Sequence, residues 1–293
     1  MSRSIDPPML SRIATSATYS EAALVSERAP AREDASALEP RADLVRPRWW
    51  RELALLGVVY FLYSVVRNAV PSQVANAVEN AHEILDLERL LGFDIEHRLN
   101  NLVASLQVIA VPANYFYATL HFLVTVTVLV WLYVARPRFY RRARSVLVGM
   151  TVLALVGYWL YPLAPPRLMP DEGFVDTVHA FGLWGLAPSE IVASASNQYA
   201  AMPSMHVGWA LWAGAALVLY AKRPHIRLLG IAYPVLTLLV VVVTANHYVL
   251  DAVGALVAFA AAAIVVAMAT RSASDRLRPD AVETAVAQPP AAV

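Results

Sequence analysis

Two histidines carry the chemistry that this sequence offers. The first stands in Thr244-Ala-Asn-His247-Tyr-Val-Leu-Asp251, four residues ahead of an aspartate. On a helix, positions i and i+4 share a face. A carboxylate there accepts the proton-bearing ring nitrogen of His247, which fixes the tautomer and raises the basicity of the ring. The other ring nitrogen is left as a base, a nucleophile or a metal ligand. A satisfied structural Asp–His contact is the plainer alternative, although burying such a pair at a membrane mouth is costly and favours a functional role. The second histidine lies in Ala200-Ala-Met-Pro-Ser-Met-His206-Val-Gly-Trp209. Proline is favoured in the first turn of a helix, so a helix should begin near Pro203. Ser204, Met205 and His206 then fall in that first turn, where unpaired amides and the helix dipole attract an anion. A hydroxyl and an imidazole at such a place suit a phosphate group.

Arg167, in Tyr161-Pro-Leu-Ala-Pro-Pro-Arg167, adds a guanidinium able to match two phosphate oxygens at once. Its plainer reading is an arginine snorkelling to lipid headgroups. Metal chemistry fits less well. His82-Glu83 lacks the second histidine of a His-Glu-x-x-His motif. Two histidines and an aspartate can bind zinc in principle, but Arg167 and a serine at a helix start suit an oxyanion better than a cation. A Ser204–His247 protease dyad is also disfavoured, because Ser204 lacks the Gly-x-Ser-x-Gly surroundings of a nucleophile elbow.

The elements that must position these residues are membrane helices. Of the 293 residues, 58% are hydrophobic and 15% are charged, where a soluble domain has about 25% charged. The mean hydropathy is +0.51, and several apolar runs reach the roughly 20 residues that cross a bilayer. The fold class is therefore all-α and polytopic. Six spans are expected, at about 53–70, 112–134, 145–161, 203–221, 228–245 and 248–269. The Trp49-Trp50 pair ahead of the first suits an interfacial belt. The net charge of +1 gives no reason to invoke nucleic acid, and the absence of cysteine excludes disulfides and thiolate metal sites.

Basic residues cluster before the first span, in the 136–144 turn, in the 222–227 turn and after Arg271. With six spans all four clusters fall on one side, which the positive-inside rule makes cytoplasmic. Residues 1–47 and 271–293 then read as disordered cytoplasmic tails flanking a membrane domain at 48–270. Arg167, Ser204, His206 and His247 come out together at the extracytoplasmic mouth, with Asp251 one turn below. His121 sits about two turns into the second span from that side. The same side receives the loop 162–202 and an acidic amphipathic segment at 72–101, too polar to span. We read this segment as an interfacial, solvated helix broken at Gly92 that covers the bundle.

Pro-Ser-x-His, then His-x3-Asp, preceded by an arginine in a loop, resembles the type 2 phosphatidic acid phosphatase superfamily. Within it, the stretches ending at Arg167, His206 and Asp251 most resemble the inositol phosphorylceramide synthase-like branch of actinobacterial type. The likeness spans roughly residues 50–270. It implies six-span lipid phosphatases or phosphotransferases of the cell membrane that need no metal or other cofactor. It further implies that His247 attacks phosphorus to give a phosphohistidine, with Asp251 orienting it. His206 would protonate the departing oxygen and later activate the acceptor. Arg167, Ser204 and the amides from Met205 onward would hold the phosphoryl oxygens. The substrate would be a lipid phosphate and the acceptor a hydroxyl of water, a polyol or a lipid.

Four positions depart from the superfamily pattern. Leu160 stands where it has a lysine, Leu168 follows Arg167 where it has a proline, and Val240-Val241 stand for its Ser-Arg. With two cationic contacts missing, either Arg167 does more alone or Asn246 and His121 contribute, and headgroup transfer gains over broad phosphatase activity. A non-catalytic protein that binds or transports anionic lipid is the rival reading. The chain lacks the paired broken helices of an inverted-repeat transporter. The oligomeric state is not legible from the sequence.

Overall fold

The computed structural model describes residues 46–69, 74–93, 95–182 and 198–276. The expected tails, for the most part, and the middle of the 162–202 loop lie outside the described residues. The apolar runs become helices: α1 (Trp49–Ala69), α2 (Val74–Leu91), α3 (Glu96–Ala104), α4 (Gln107–Tyr115), α5 (His121–Ala135), α6 (Pro137–Leu160), a short α7 (Thr177–Phe181), α8 (Met205–Tyr220), α9 (Pro224–Val243) and α10 (Val249–Arg276). A π-helical turn, Phe116–Leu120, joins α4 to α5 without a break. Among the described residues, extended pairing is limited to an isolated parallel bridge between Leu163 and Ala200.

Among the described residues, four helical stretches are long and apolar enough to cross a membrane: Gln107–Ala135, Pro137–Leu160, Pro224–Val243 and Val249–Arg271. Helix α8 is equally apolar but has 16 residues. Helix α1 has 21 residues and carries Arg51, Glu52 and Arg67. The chain is thus an all-α polytopic membrane protein. Large apolar side chains such as Leu123, Val130, Leu228, Val257 and Val265 point outward, as lipid-facing residues do.

The bundle is built around α8. Helix α9 lies against it with Gly214 and Gly230 at the crossing, where a Cβ on either residue would meet the backbone carbonyl of the other. Small residues of this kind let membrane helices approach closely. On its other side α8 packs on α5 and α6 through Trp209, Trp212, Met150 and Tyr140. The indole N–H of Trp212 donates to the Ala143 carbonyl at 2.8 Å, and that of Trp209 to Thr151 Oγ1 at 3.2 Å. The basic run expected as a turn is different here. Pro137 opens α6 directly after Arg136, so Arg138 to Arg144 are helical. Arg144 is turned back into the bundle, where Glu52 of α1 receives it at 2.6 Å and also accepts the Tyr140 hydroxyl at 2.9 Å.

The acidic segment divides at Gly92, which adopts φ +75°. Its apolar stripe, Ala77, Ala81, Ile84 and Leu85, packs on Leu163, Ala164 and Tyr248. Ala164 N–H donates to the Ala77 carbonyl at 3.0 Å, and the Asn80 amide to the Pro162 carbonyl at 2.7 Å. It does cover one end of the bundle, and it does so by holding the segment that leads to Arg167.

Candidate active site

The three sequence motifs meet at one end of the bundle. Helix α8 starts where Ser204 caps it, with its hydroxyl oxygen accepting the Val207 amide at 3.4 Å. Pro203, joined to Met202 by a cis peptide bond, is clamped from both sides. A Cβ on Gly157 of α6 would lie 2.8 Å from Pro203 Cδ, and one on Gly254 of α10 would lie 3.3 Å from its Cβ. The Tyr158 hydroxyl donates to the Pro203 carbonyl at 3.0 Å. Packing thus sets where α8 begins, and with it the aim of Met205 and His206. Ser204 is fully buried and its amide donates to the Asp251 carbonyl at 3.0 Å, so the α8 start is bonded to α10.

Helix α9 ends at Thr244, and Ala245 turns the chain with φ +55°. Asn246 and His247 return their amides to the Val241 carbonyl, at 2.9 and 3.2 Å. His247 Nδ1 then lies 3.1 Å from Asp251 Oδ2, which also accepts the Tyr248 amide at 3.0 Å. A carboxylate accepts, so in this contact Nδ1–H is the donor. His247 is 5% exposed and Asp251 0%.

His206 faces His247 with ring centroids 5.5 Å apart. Two further ring contacts come from the α4–α5 helix, where Tyr117 stacks at 4.2 Å and His121 lies at 4.1 Å. Both project from around the π turn, and His121 Nδ1 is 3.0 Å from the Tyr117 carbonyl. Wide turns of this type recur at functional sites because they re-aim side chains. His121 therefore approaches the site through His206.

Arg167 follows α6 in a short 3-10 turn, and its amide donates to the Ala245 carbonyl at 2.7 Å. Its guanidinium spans three acceptors: Asn246 Oδ1 at 2.9 Å, Gln198 Oε1 at 3.3 Å and Asp176 Oδ2 at 3.8 Å. Asn246 in turn donates to Thr244 Oγ1 at 2.9 Å. Asn246 thus orients the arginine, and the arginine holds the turn that carries His247. At the positions that depart from the superfamily pattern, Leu160 is 74% exposed on the outside of α6, whereas Val240 and Val241 are buried in α9. Arg167 is the guanidinium that the motifs deliver.

Several residues of this assembly were not singled out by sequence reasoning. Asp176 caps α7 with bonds of 2.9 Å to the amides of Val178 and His179, besides facing Arg167. Asn100 of α3 donates to the carbonyls of Val175 and Val243, both at 3.0 Å, and accepts the Val175 amide. Asn114 and Thr177 pair across α4 and α7 at 2.7 Å. Glu88 and Glu96 are the least expected, since both are buried and accept the amides of Leu250 and Val249, at 2.7 and 3.0 Å. The available signal was an acid on an apolar stripe, because Glu88 shares the helix face of Ala77, Ala81 and Ile84.

Fold and site together define a class: a polytopic helical membrane protein with an arginine, a helix N-terminus and two histidines gathered at one end. A sequence model of the PAP2 superfamily matches residues 82–266, well over half of the chain and all three motifs. The chain belongs to the PAP2 superfamily, the type 2 phosphatidic acid phosphatases. That membership supports a phosphoric ester hydrolase type of enzyme acting on a lipid phosphate in a membrane. No curated protein and no solved structure matches the chain.

Proposed function

We propose that this protein cleaves a lipid phosphoester at the extracytoplasmic face of the cell membrane through a phosphohistidine on His247. The observation that carries the reading is the pairing of His247 Nδ1 with Asp251, which leaves Nε2 as the nucleophile, with the ring of His206 centred 5.5 Å from that of His247. In the first step Nε2 forms a bond to phosphorus as the bond to the lipid oxygen breaks. His206 gives its proton to that leaving oxygen. In the second step His206 takes a proton from the acceptor hydroxyl, whose oxygen displaces His247 from phosphorus. Arg167, with the first-turn amide at Met205, would neutralise the phosphoryl oxygens as charge develops, while Ser204 caps the turn that presents it. Asn246 would hold Arg167 in register and His121 would support the ring of His206.

Six spans with both termini in the cytoplasm give the side assignment, since Arg136, Arg138, Arg141, Arg142, Lys222 and Arg223 lie at the helix ends remote from the motifs. The acceptor is the open choice between hydrolase and transferase. The hydrophobic residues at positions 160, 240 and 241 favour transfer of a phospho-headgroup, of the inositol-phosphate type, over a broad phosphatase. The test is purified protein in mixed micelles, supplied with a short-chain lipid phosphate or a phosphoinositide, with and without a lipid alcohol. Free phosphate from the lipid phosphate, or free inositol phosphate from the phosphoinositide, marks a hydrolase, and a headgroup appearing on the added alcohol marks a transferase. Both activities should vanish in His247→Ala and His206→Ala. Saturable lipid binding with no turnover would instead establish the non-catalytic binding protein.

A further inference from the structure

We infer that Glu88 and Glu96 are positioning residues for the histidine-bearing end of α10, and that the two carboxyl groups share one proton. The role in turnover rests on His247 being the nucleophile; the clamp itself does not.

The first turn of any helix has amides with no acceptor inside the helix. Here the need is met by three carboxylates. Asp251 Oδ2 takes Tyr248 N–H, Glu96 Oε1 takes Val249 N–H, and Glu88 Oε1 takes Leu250 N–H. Two of the three caps come from a separate, amphipathic segment instead of from the capped helix. Glu88 is 0% exposed and Glu96 1%. Their remaining oxygens, Glu88 Oε2 and Glu96 Oε2, have no hydrogen-bond partner among the described residues, although the two carboxyls adjoin, capping consecutive amides. Adjoining buried carboxyls resist double ionisation, so the pair retains one proton and one charge. Burial, reinforced by Glu96 and Asp251 and opposed by the Leu250 amide, pushes Glu88 from an ordinary 4.5 up to about 9.

The groups that bear on this pair are few. From the start of α10 come Asp251, His247 bonded to it, and the buried Tyr248 hydroxyl. From the loop after α6 comes Glu172, which pairs with Arg89 and His82. Arg89 also meets Asp86 on its own helix. The shared proton keeps a second negative charge away from a site that must accept an anion. Its loss at high pH would place that charge beside the first turn of α10. The sign for stability is the same. A carboxyl held above its ordinary value contributes stability below about 4.5, and this is lost as pH rises towards about 9.

The test uses the purified full chain and the variants Glu88→Ala and Glu88→Gln. Amide hydrogen exchange over residues 248–250, thermal unfolding against pH, and the pH profile of kcat on a short-chain lipid phosphate are read on each. Glu88→Ala should speed exchange at these amides roughly tenfold, the scale of a lost cap. Glu88→Gln keeps the acceptor for Leu250 and replaces the shared proton by an amide hydrogen. It should hold exchange near wild type and flatten the fall in stability and kcat between about pH 7 and pH 9. Unchanged exchange in Glu88→Ala overturns the clamp. An alkaline fall that persists in Glu88→Gln overturns the shared proton, even if the alanine variant fails to fold. Exchange is read without turnover, so an error in the His247 assignment would show in the kcat arm and leave the exchange arm standing.

Discussion

Replacing Asp251 by asparagine changes one buried atom and a charge, and the structure sets the size of the effect. Asp251 Oδ2 receives two donors, His247 Nδ1 at 3.1 Å and Tyr248 N at 3.0 Å, while Oδ1 has no partner. An asparagine that keeps its oxygen in the Oδ2 position preserves both bonds but loses the charge that stabilises a cationic imidazole. A hydrogen bond to a charged group is worth about 1.5–3 kcal/mol. At about 1.36 kcal/mol per decade, that is a loss of roughly 10- to 150-fold in rate. If the amide turns its NH2 towards Nδ1, the histidine proton moves to Nε2, attack is blocked, and the loss approaches roughly ten-thousandfold, as in other orienting-aspartate systems. Either way the NH2 or the Tyr248 amide is left without a partner in a buried place, costing about 1–3 kcal/mol of stability. The assay is steady-state turnover of a short-chain lipid phosphate by purified protein in detergent micelles, with kcat and KM separated. Because Asp251 is fully buried, the loss should fall on kcat, with KM changing less. An Asp251→Asn enzyme within twofold of wild-type kcat would refute the reasoning.

Three further outcomes follow from the geometry. Arg167→Lys keeps the charge but replaces a three-acceptor fork by a point donor. It should lower kcat/KM by roughly 100-fold, the low end of the loss of one oxyanion donor because the charge is kept, as read from the same turnover assay. Gly157→Ala drives a methyl group into Pro203 at 2.8 Å. An overpacked contact costs about 1–3 kcal/mol, so the melting temperature should drop and activity should fall with it as the α8 start shifts. Glu52→Ala leaves Arg144 and the Tyr140 hydroxyl facing each other without their acceptor. Breaking a buried pair costs about 3–5 kcal/mol, so a marked loss of thermal stability is expected although the site lies at the other end of the bundle.

What the sequence made legible was whatever depended on local spacing. His247 and Asp251 pair because i and i+4 share a helix face, and Pro203 marked the start of α8 to within two residues, Ser204 being its cap and Met205 its first residue. Low charge and long apolar runs gave the all-α membrane class. What it did not give depends on distant partners. The run at 136–144 was rich enough in arginine to read as a turn, but Pro137 starts a helix there and Glu52 of α1 receives Arg144. The π turn that aims Tyr117 and His121 at His206 has no local signature, because ring stacking against α8 favours the wide turn. The segment at 72–101 was read as a solvated cover from its charge count. Nothing local says that two of its acids cap α10, since the amides they serve lie more than 150 residues away in sequence. Ser204 offers a similar lesson: a hydroxyl expected at the phosphate is engaged at the helix cap, and its amide is bonded to Asp251.

The measurement closest to the central claim is direct capture of the phosphoenzyme. Purified protein would be mixed with a lipid labelled in its phosphate, quenched within milliseconds in base, and digested for mass spectrometry. The account predicts label on the peptide containing His247, stable to alkali and released by acid. The label should be absent in His247→Ala, and should accumulate in His206→Ala given a lipid with a good leaving group, because the second step then lacks its base. Turnover with no label on that peptide, or label on Ser204 instead, would contradict it.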